Sequence, residues 1–285
     1  MAISVIQTAK GSIECNLIGR GKPLLFIHGG HVDCRETIFH KTLNPGVFLF
    51  VTPSRPGYGN TPLTALNQSP RGTADLLIAL LNELEIDRVT VIGISAGGLI
   101  ALEFAANYPD RMESLVLMSA LTRTWFAKTD RIYRGAKICF APKIERFTWS
   151  LYREAFKFFP ETMARIMFRA LSTYRPVTFT PNEFVELKQM TLNMRSSFGF
   201  SNDLDQTIEQ EILSRVACPT LILHSEYDNA VSVSHAQNAK TNIGNSRLVT
   251  FKNRWGHLLW LGAGYDPVFK ELIRHIENRR ISSPN

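Results

Sequence analysis

Short unbroken apolar runs recur along the chain at Pro23 to Ile27, Val47 to Val51, Val89 to Ile94, Ser114 to Met118 and Pro219 to Leu223. Runs of this kind lack the polar alternation of a half-exposed strand, and they fit strands covered on both faces, as in a parallel sheet. Ile3 to Thr8 and Ser12 to Leu17 alternate instead, around Lys10-Gly11, which predicts an antiparallel hairpin at a sheet edge; Arg247 to Phe251 supplies a last strand. Between these runs the period becomes helical. Ser69 is an N-cap with Pro70 at the first helical position, and Leu76, Leu77, Leu80, Leu81 and Leu84 make one apolar stripe. Further helices are expected over Leu99 to Ala106, from Ser232 or Ser234 through Lys240, and over Pro267 to Asn278. Strand and helix in alternation predict an α/β fold: a mostly parallel eight-stranded sheet with right-handed crossovers and helices on both faces.

The alternation stops from Leu121 to about Glu211, where no buried strand run occurs and helical patterns rich in aromatic residues take over. Trp125, Phe126, Tyr133, Trp149, Phe156 and Phe168 are among them, with breaks expected at Pro142, Pro160, Pro176 and Pro181. This predicts a helical cap inserted after the sixth strand. Residues 121–211 would be the cap, and residues 1–120 and 212–285 the core domain. The aromatic residues are too numerous for a short helical layer to bury among themselves, so part of that surface is expected to face the cleft beneath it.

Composition narrows the class without changing this picture. A content of 45% hydrophobic and 20% charged residues suits a soluble globule with a substantial core, and no apolar stretch approaches the ~18 residues of a spanning helix. The formal net charge of +7 is concentrated in the cap, where Leu121 to Thr180 holds twelve Lys and Arg against four Asp and Glu. Long basic side chains on a helical layer are read first as its solvated face; attraction for a carboxylate-bearing substrate or an anionic surface is the alternative. Nucleic acid is not indicated, because no zinc-finger spacing, aromatic-glycine RNA motif or dense basic tract is present. Cys15, Cys34, Cys139 and Cys218 are scattered without a C-x-x-C pair, so no metal or dithiol centre is expected and a reducing, cytoplasmic setting is the default. The N-terminal residues show no signal-peptide pattern.

The chemistry gathers at Gly93-Ile94-Ser95-Ala96-Gly97, between the Val89 to Ile94 strand and the Leu99 to Ala106 helix. A serine held proud of a sheet edge sits in a strained turn, and neighbours without a Cβ let strand and helix approach. The turn places the Ala96 N–H at a helix N-terminus, where unpaired donors favour a developing oxyanion. A glycine-rich turn that only packs, or that cradles a phosphate, is the competing reading, but no G-x-G-x-x-G or P-loop lysine accompanies it. A neutral serine needs a base and an orienting acid. Among the later histidines, His224 ends a buried strand and His235 and His275 lie in helical patterns, which leaves His257 in a loop beside Gly256. The acid is expected at the end of the Pro219 to Leu223 strand. Asp228 is preferred there to Glu226, which lies nearer the strand and before the turn.

In the order Ser, Asp, His, and over nearly its full length, the chain resembles a capped serine hydrolase of the α/β-hydrolase superfamily. His28-Gly29-Gly30 resembles the family's oxyanion loop, Ser54-Arg55-Pro56-Gly57-Tyr58-Gly59 its R-G-x-G loop, and Tyr108-Pro109-Asp110-Arg111 the segment after the elbow helix. The resemblance implies Ser95, Asp228 and His257 as catalytic residues, Gly30 and Ala96 N–H as the oxyanion hole, and residues 121–211 as the lid. It implies no cofactor. His31 departs from the pattern, standing where many relatives carry proline or another small residue, and Ser225 replaces a glycine often found before the acid. The expected activity is acyl-enzyme hydrolysis of an ester or related acyl bond in a small apolar or aromatic substrate, by a monomer or homodimer. Carbon–carbon hydrolysis, perhydrolysis or a lyase reaction could use the same triad. A non-catalytic binding protein or a peripheral membrane protein would be of another class.

Overall fold

The computed structural model describes residues 2–37 and 40–277. Eight strands form one sheet in the order β1-β2-β4-β3-β5-β6-β7-β8. Ala2–Thr8 (β1) and Gly11–Gly19 (β2) make the antiparallel hairpin read from their alternation, and β2 runs antiparallel to Phe48–Pro53 (β4). Lys22–Ile27 (β3), Val89–Ile94 (β5), Met112–Met118 (β6), Thr220–Ser225 (β7) and Ser246–Phe251 (β8) are parallel throughout, with β4 joining them through β3.

Every residue of β5 is buried, and successive side chains go to opposite layers. Val89 and Val91 join Leu25, Ile27, Leu115 and Leu117 in a core covered by Pro70–Glu83 (α1), Gly97–Asn107 (α2) and, further on, Val233–Asn242 (α8). Ile92 and Ile94 join Leu24, Phe26, Val116 and Met118 on the other face, where Asp266–Glu277 (α9) supplies Val268, Phe269, Leu272 and Ile276. Unbroken apolar runs are therefore a requirement of position, since neither face of these strands meets water. Ser69 caps α1 by accepting the Gly72 N–H at 3.0 Å, and Ser232, not Ser234, caps α8. The expected end of the closing helix at Asn278 lies outside the described residues.

Between β6 and β7 stand Arg131–Cys139 (α3), Glu145–Phe158 (α4), Pro160–Leu171 (α5), Pro181–Asn193 (α6) and Gly199–Asp203 (α7). The expected breaks at Pro160 and Pro181 are also helix starts: each proline opens a helix, where a missing N–H costs nothing and φ is already suited. The aromatic residues divide three ways. Trp149, Phe156 and Phe168 are buried within this layer, Trp125 lines the cavity beneath it, and Phe147, Phe158 and Phe159 are exposed. The expected surplus of aromatic surface thus lies outward as much as toward the cleft. Among the described residues no helix is long and apolar enough to cross a membrane.

Candidate active site

Ser95 sits between β5 and α2 with φ of 51°, in the left-handed region that a non-glycine residue adopts at a cost of about 1–3 kcal/mol. The surrounding backbone holds it there. Its N–H donates to Met118 O at 3.2 Å, and its carbonyl accepts from Gly98 N at 3.0 Å and Leu121 N at 2.9 Å. Gly97 is required by close approach, since a Cβ there would lie 2.2 Å from Ile27 O. Gly29 meets the turn from the other side: its Cβ would lie 2.9 Å from that of Ser95.

Ser95 Oγ is 2.9 Å from His257 Nε2, and His257 Nδ1 is 2.9 Å from Asp228 Oδ2. All three side chains are mostly buried. Asp228 is held from its other oxygen, Oδ1, which accepts the N–H groups of Ala230 at 2.9 Å and Val231 at 2.8 Å. Glu226, its rival in the sequence, is exposed. His257 approaches Ser95 through a backbone reversal at Gly256, whose φ is 58° and whose Cβ would strike Leu171 O at 2.4 Å.

The Gly30 and Ala96 N–H groups make no hydrogen bond to a protein acceptor among the described residues. The loop carrying Gly30 is fixed from beneath. His28 Nε2 accepts the Arg55 N–H at 2.9 Å, which puts the ring proton on Nδ1, where it donates to Gly29 O at 2.7 Å. Burial, with the Arg55 charge adding to it, pushes the His28 pKa well below the usual imidazole range. Arg55 Nη2 also donates to Gly29 O at 2.8 Å, so one carbonyl of this loop has two donors.

Several supporting contacts had no sequence signal, although Arg55 and Tyr58 themselves stand in the segment that resembles the family's R-G-x-G loop. Leu171 O, at the end of α5, accepts from His257 N at 2.9 Å and Asn229 N at 3.2 Å, and the next residue, Ser172, pairs with Asp228 as an isolated bridge. One turn of the inserted helices therefore straps the acid and base loops together. Arg55 forms a buried two-pronged ion pair with Asp203 of α7, at 2.6 and 2.8 Å, and Tyr58 OH donates to the same carboxylate at 2.6 Å. His224 donates from Nε2 to Val231 O at 2.9 Å and lies 3.4 Å from Asp228 Oδ2; burial keeps it neutral by lowering its pKa. Its spacing of four residues from Asp228 was the one available clue.

Above Ser95 and His257 lies a cavity of about 150 Å³, walled by apolar side chains such as Leu171, Met190, Met194, Phe200, Leu258 and Trp260. No Lys or Arg is among its described lining residues. Residues 22–263 match the family model for the alpha/beta hydrolase fold. The chain belongs to the α/β-hydrolase fold family. Within it, the chain is 37% identical over 266 residues to the "Uncharacterized hydrolase YcgS" of Bacillus subtilis (strain 168), covering 91% of this chain and 93% of that one. It is 24% identical over 254 residues, 86% of this chain and 84% of the relative, to a 2-hydroxy-6-oxo-6-phenylhexa-2,4-dienoate hydrolase of Comamonas testosteroni. An esterase from Exiguobacterium antarcticum shares the fold at a TM-score of 0.70 and 18% identity, over 97% of this chain and all, 100%, of that one. The α/β-hydrolase membership makes this chain a hydrolase.

Proposed function

We propose that the chain is a serine hydrolase that cleaves an ester, thioester, lactone or related acyl bond of a small uncharged substrate through an acyl-enzyme. The hydrogen-bonded chain from Ser95 Oγ through His257 to Asp228, opening into an apolar cavity, carries this reading. Ser95 Oγ attacks the carbonyl carbon while its proton passes to His257 Nε2, and Asp228 stabilises the imidazolium. The carbonyl oxygen becomes an oxyanion facing the Gly30 and Ala96 N–H groups. Collapse of the tetrahedral centre expels the leaving oxygen or sulfur, which takes the proton from His257. A water then repeats the cycle, giving its proton to His257 and its oxygen to the acyl carbon, and collapse of this second tetrahedral centre breaks the bond to Ser95 Oγ, which takes the proton back from His257 as the acid leaves. Residues 121–211 act as the cap: they supply Trp125, Leu171 and Phe200 to the wall, and the Leu171 carbonyl to the loops bearing acid and base.

The cavity volume is that of a benzene-sized group, which favours a short acyl chain or a single ring. The dienoate named for the Comamonas relative points to carbon–carbon hydrolysis as the second reading. A dienoate carries a carboxylate, however, and a wall without Lys or Arg, with Glu36 in it, disfavours burying one. A fluorophosphonate probe should label Ser95, and p-nitrophenyl esters of short acyl chains should be hydrolysed. Ser95→Ala should fold and lose both properties. Turnover by Ser95→Ala at the wild-type rate would overturn the assignment.

For the outward face of the cap, the same proposal includes contact with an anionic lipid surface. Phe147, Leu151 and Phe158 are exposed on α4 with Arg146 and Lys157 beside them. A second copy of this face would bring like charges together, whereas anionic lipid complements both features.

A further inference from the structure

We propose that His31 is the polar specificity contact of the Ser95 cavity: its Nε2–H donates a hydrogen bond to an uncharged oxygen of the substrate. The substrate class is then a small ester or lactone that carries an ether, hydroxyl or second carbonyl oxygen besides the scissile group. This rests on the serine-hydrolase reading above and narrows it.

The proton's position follows from hydrogen-bond accounting. His31 Nδ1 is 2.8 Å from Ser196 Oγ, and Trp149 Nε1 donates to the same oxygen at 2.7 Å. An indole N–H can only donate, so Ser196 Oγ is the acceptor from Trp149. Ser196 is fully buried, and no other acceptor for its hydroxyl proton stands within reach among the described residues. Its O–H therefore donates to His31 Nδ1. With Nδ1 accepting, the single proton of a neutral imidazole lies on Nε2.

The surroundings keep the ring neutral and oriented. Burial, with the Arg55 charge adding to it, pushes the His31 pKa down to about 3. Phe200 stacks on the ring at 3.8 Å between centroids, and Phe140 and Trp149 close on it at 4.7 and 5.1 Å. The backbone is fixed too: φ is 65°, and the His31 carbonyl accepts the Arg195 N–H at 2.9 Å. His31 lines the cavity together with Gly30 and Ser95, and with one face under Phe200 and Nδ1 turned to Ser196, Nε2 is the ring atom left to meet a substrate. Nε2 has no protein partner among the described residues. Trp125, another polar-tipped lining residue, has already given its N–H to Ala230 O at 2.9 Å. An apolar group seated against this edge would take the His31 donor from water without replacing its partner, and a substrate oxygen would satisfy it.

The test compares p-nitrophenyl methoxyacetate with p-nitrophenyl butyrate, which differ by one ether oxygen in place of a methylene, and p-nitrophenyl 3-methoxypropionate with pentanoate. Each kcat/KM is divided by the ester's rate of hydroxide hydrolysis to remove intrinsic reactivity. Wild-type protein should favour the oxygen-bearing member of at least one pair by about tenfold to a hundredfold. His31→Phe should bring that ratio to near one, and His31→Gln, which restores an N–H donor, should recover part of it. A long-range proton–nitrogen NMR correlation of the wild-type protein reads the tautomer without any variant, and should show Nε2 protonated and Nδ1 bare. Ratios near one in wild type for both pairs, or a proton on Nδ1, overturn the proposal while Ser95 labelling leaves the hydrolase reading standing. Failure of Ser95 to label, with no ester turned over, overturns that reading itself.

Discussion

Replacing Asp203 by Asn removes one charge from beneath the oxyanion loop and almost no volume, so its effect separates electrostatics from packing. Arg55 and Asp203 are each 2% exposed, and the guanidinium spends Nη1 and Nη2 on the two carboxylate oxygens. With the carboxylate gone, a buried cation loses its counter-charge, and an amide N–H₂ confronts either the guanidinium or the Tyr58 hydroxyl. Stranding one member of a buried pair costs about 3–5 kcal/mol. The Tyr58 hydroxyl, 2.6 Å from Asp203 Oδ2, adds about 1–3 kcal/mol if it also loses its acceptor. Urea unfolding at neutral pH measures the sum. The triple variant Arg55→Met, Tyr58→Phe, Asp203→Leu removes all three polar groups, and it should regain most of that loss, because an apolar replacement strands nothing. Activity should not return with it. Arg55 Nη2 is one of two donors on Gly29 O, and without it the turn that carries the Gly30 N–H is less firmly set. The expected pattern is a stable triple variant whose kcat falls further than its substrate binding. A loss below 1 kcal/mol in Asp203→Asn, or a triple variant with wild-type kcat, would refute the reasoning.

Gly97→Ala should cost at least about 1–3 kcal/mol and most activity, because its Cβ would meet the Ile27 carbonyl at 2.2 Å and β3 cannot yield. Gly135→Ala, with nothing within 4 Å of its Cβ, should be neutral or stabilising by about 1 kcal/mol, and equal melting shifts for the two would reject the elbow geometry. Glu14 is read in acid. Burial alone would raise its carboxyl, but hydrogen bonds from Arg35, the Asn60 N–H and the Ser54 hydroxyl outweigh it and pull the pKa from 4.5 to about 2. Its stabilisation is complete above 4.5 and is lost as pH falls through about 2, so Glu14→Gln should flatten the stability curve between those values, and an unchanged acid limb would count against the cluster. Asp228→Asn should lose far more activity than Glu226→Gln, and the reverse ranking would move the acid. Vesicles of anionic lipid should sediment the protein at low salt but not at high salt, Phe147→Ser with Phe158→Ser should abolish this, and sedimentation that ignores salt would refute the basic contribution.

The core was legible because position dictates composition there. A strand with no wet face has to be apolar or satisfy its polar groups internally, and in β5 the one exception, Thr90, shares a hydrogen bond with Ser114 Oγ at 3.1 Å. The serine turn was legible for a similar reason, since close approach forbids a Cβ at Gly97 and the helix must start at once. The groups that hold the loops were not legible. Leu171 acts through its carbonyl, which any residue possesses, and Arg55 meets an aspartate from a segment 148 positions away. The cap shows where periodicity stops informing. Helix α4 buries Trp149 and Phe156 on one side while exposing Phe147, Leu151 and Phe158 on another, so its apolar positions do not single out one inward face. A helix of that kind tells that two apolar surfaces exist, not which one meets the protein. Only the partners decide: Trp149 faces inward because Ser196 accepts its N–H at 2.7 Å, in the same contact that sets the proton on His31. One hydroxyl thus orients the cap and the polar edge of the cavity together, and neither role can be read from a serine in a sequence.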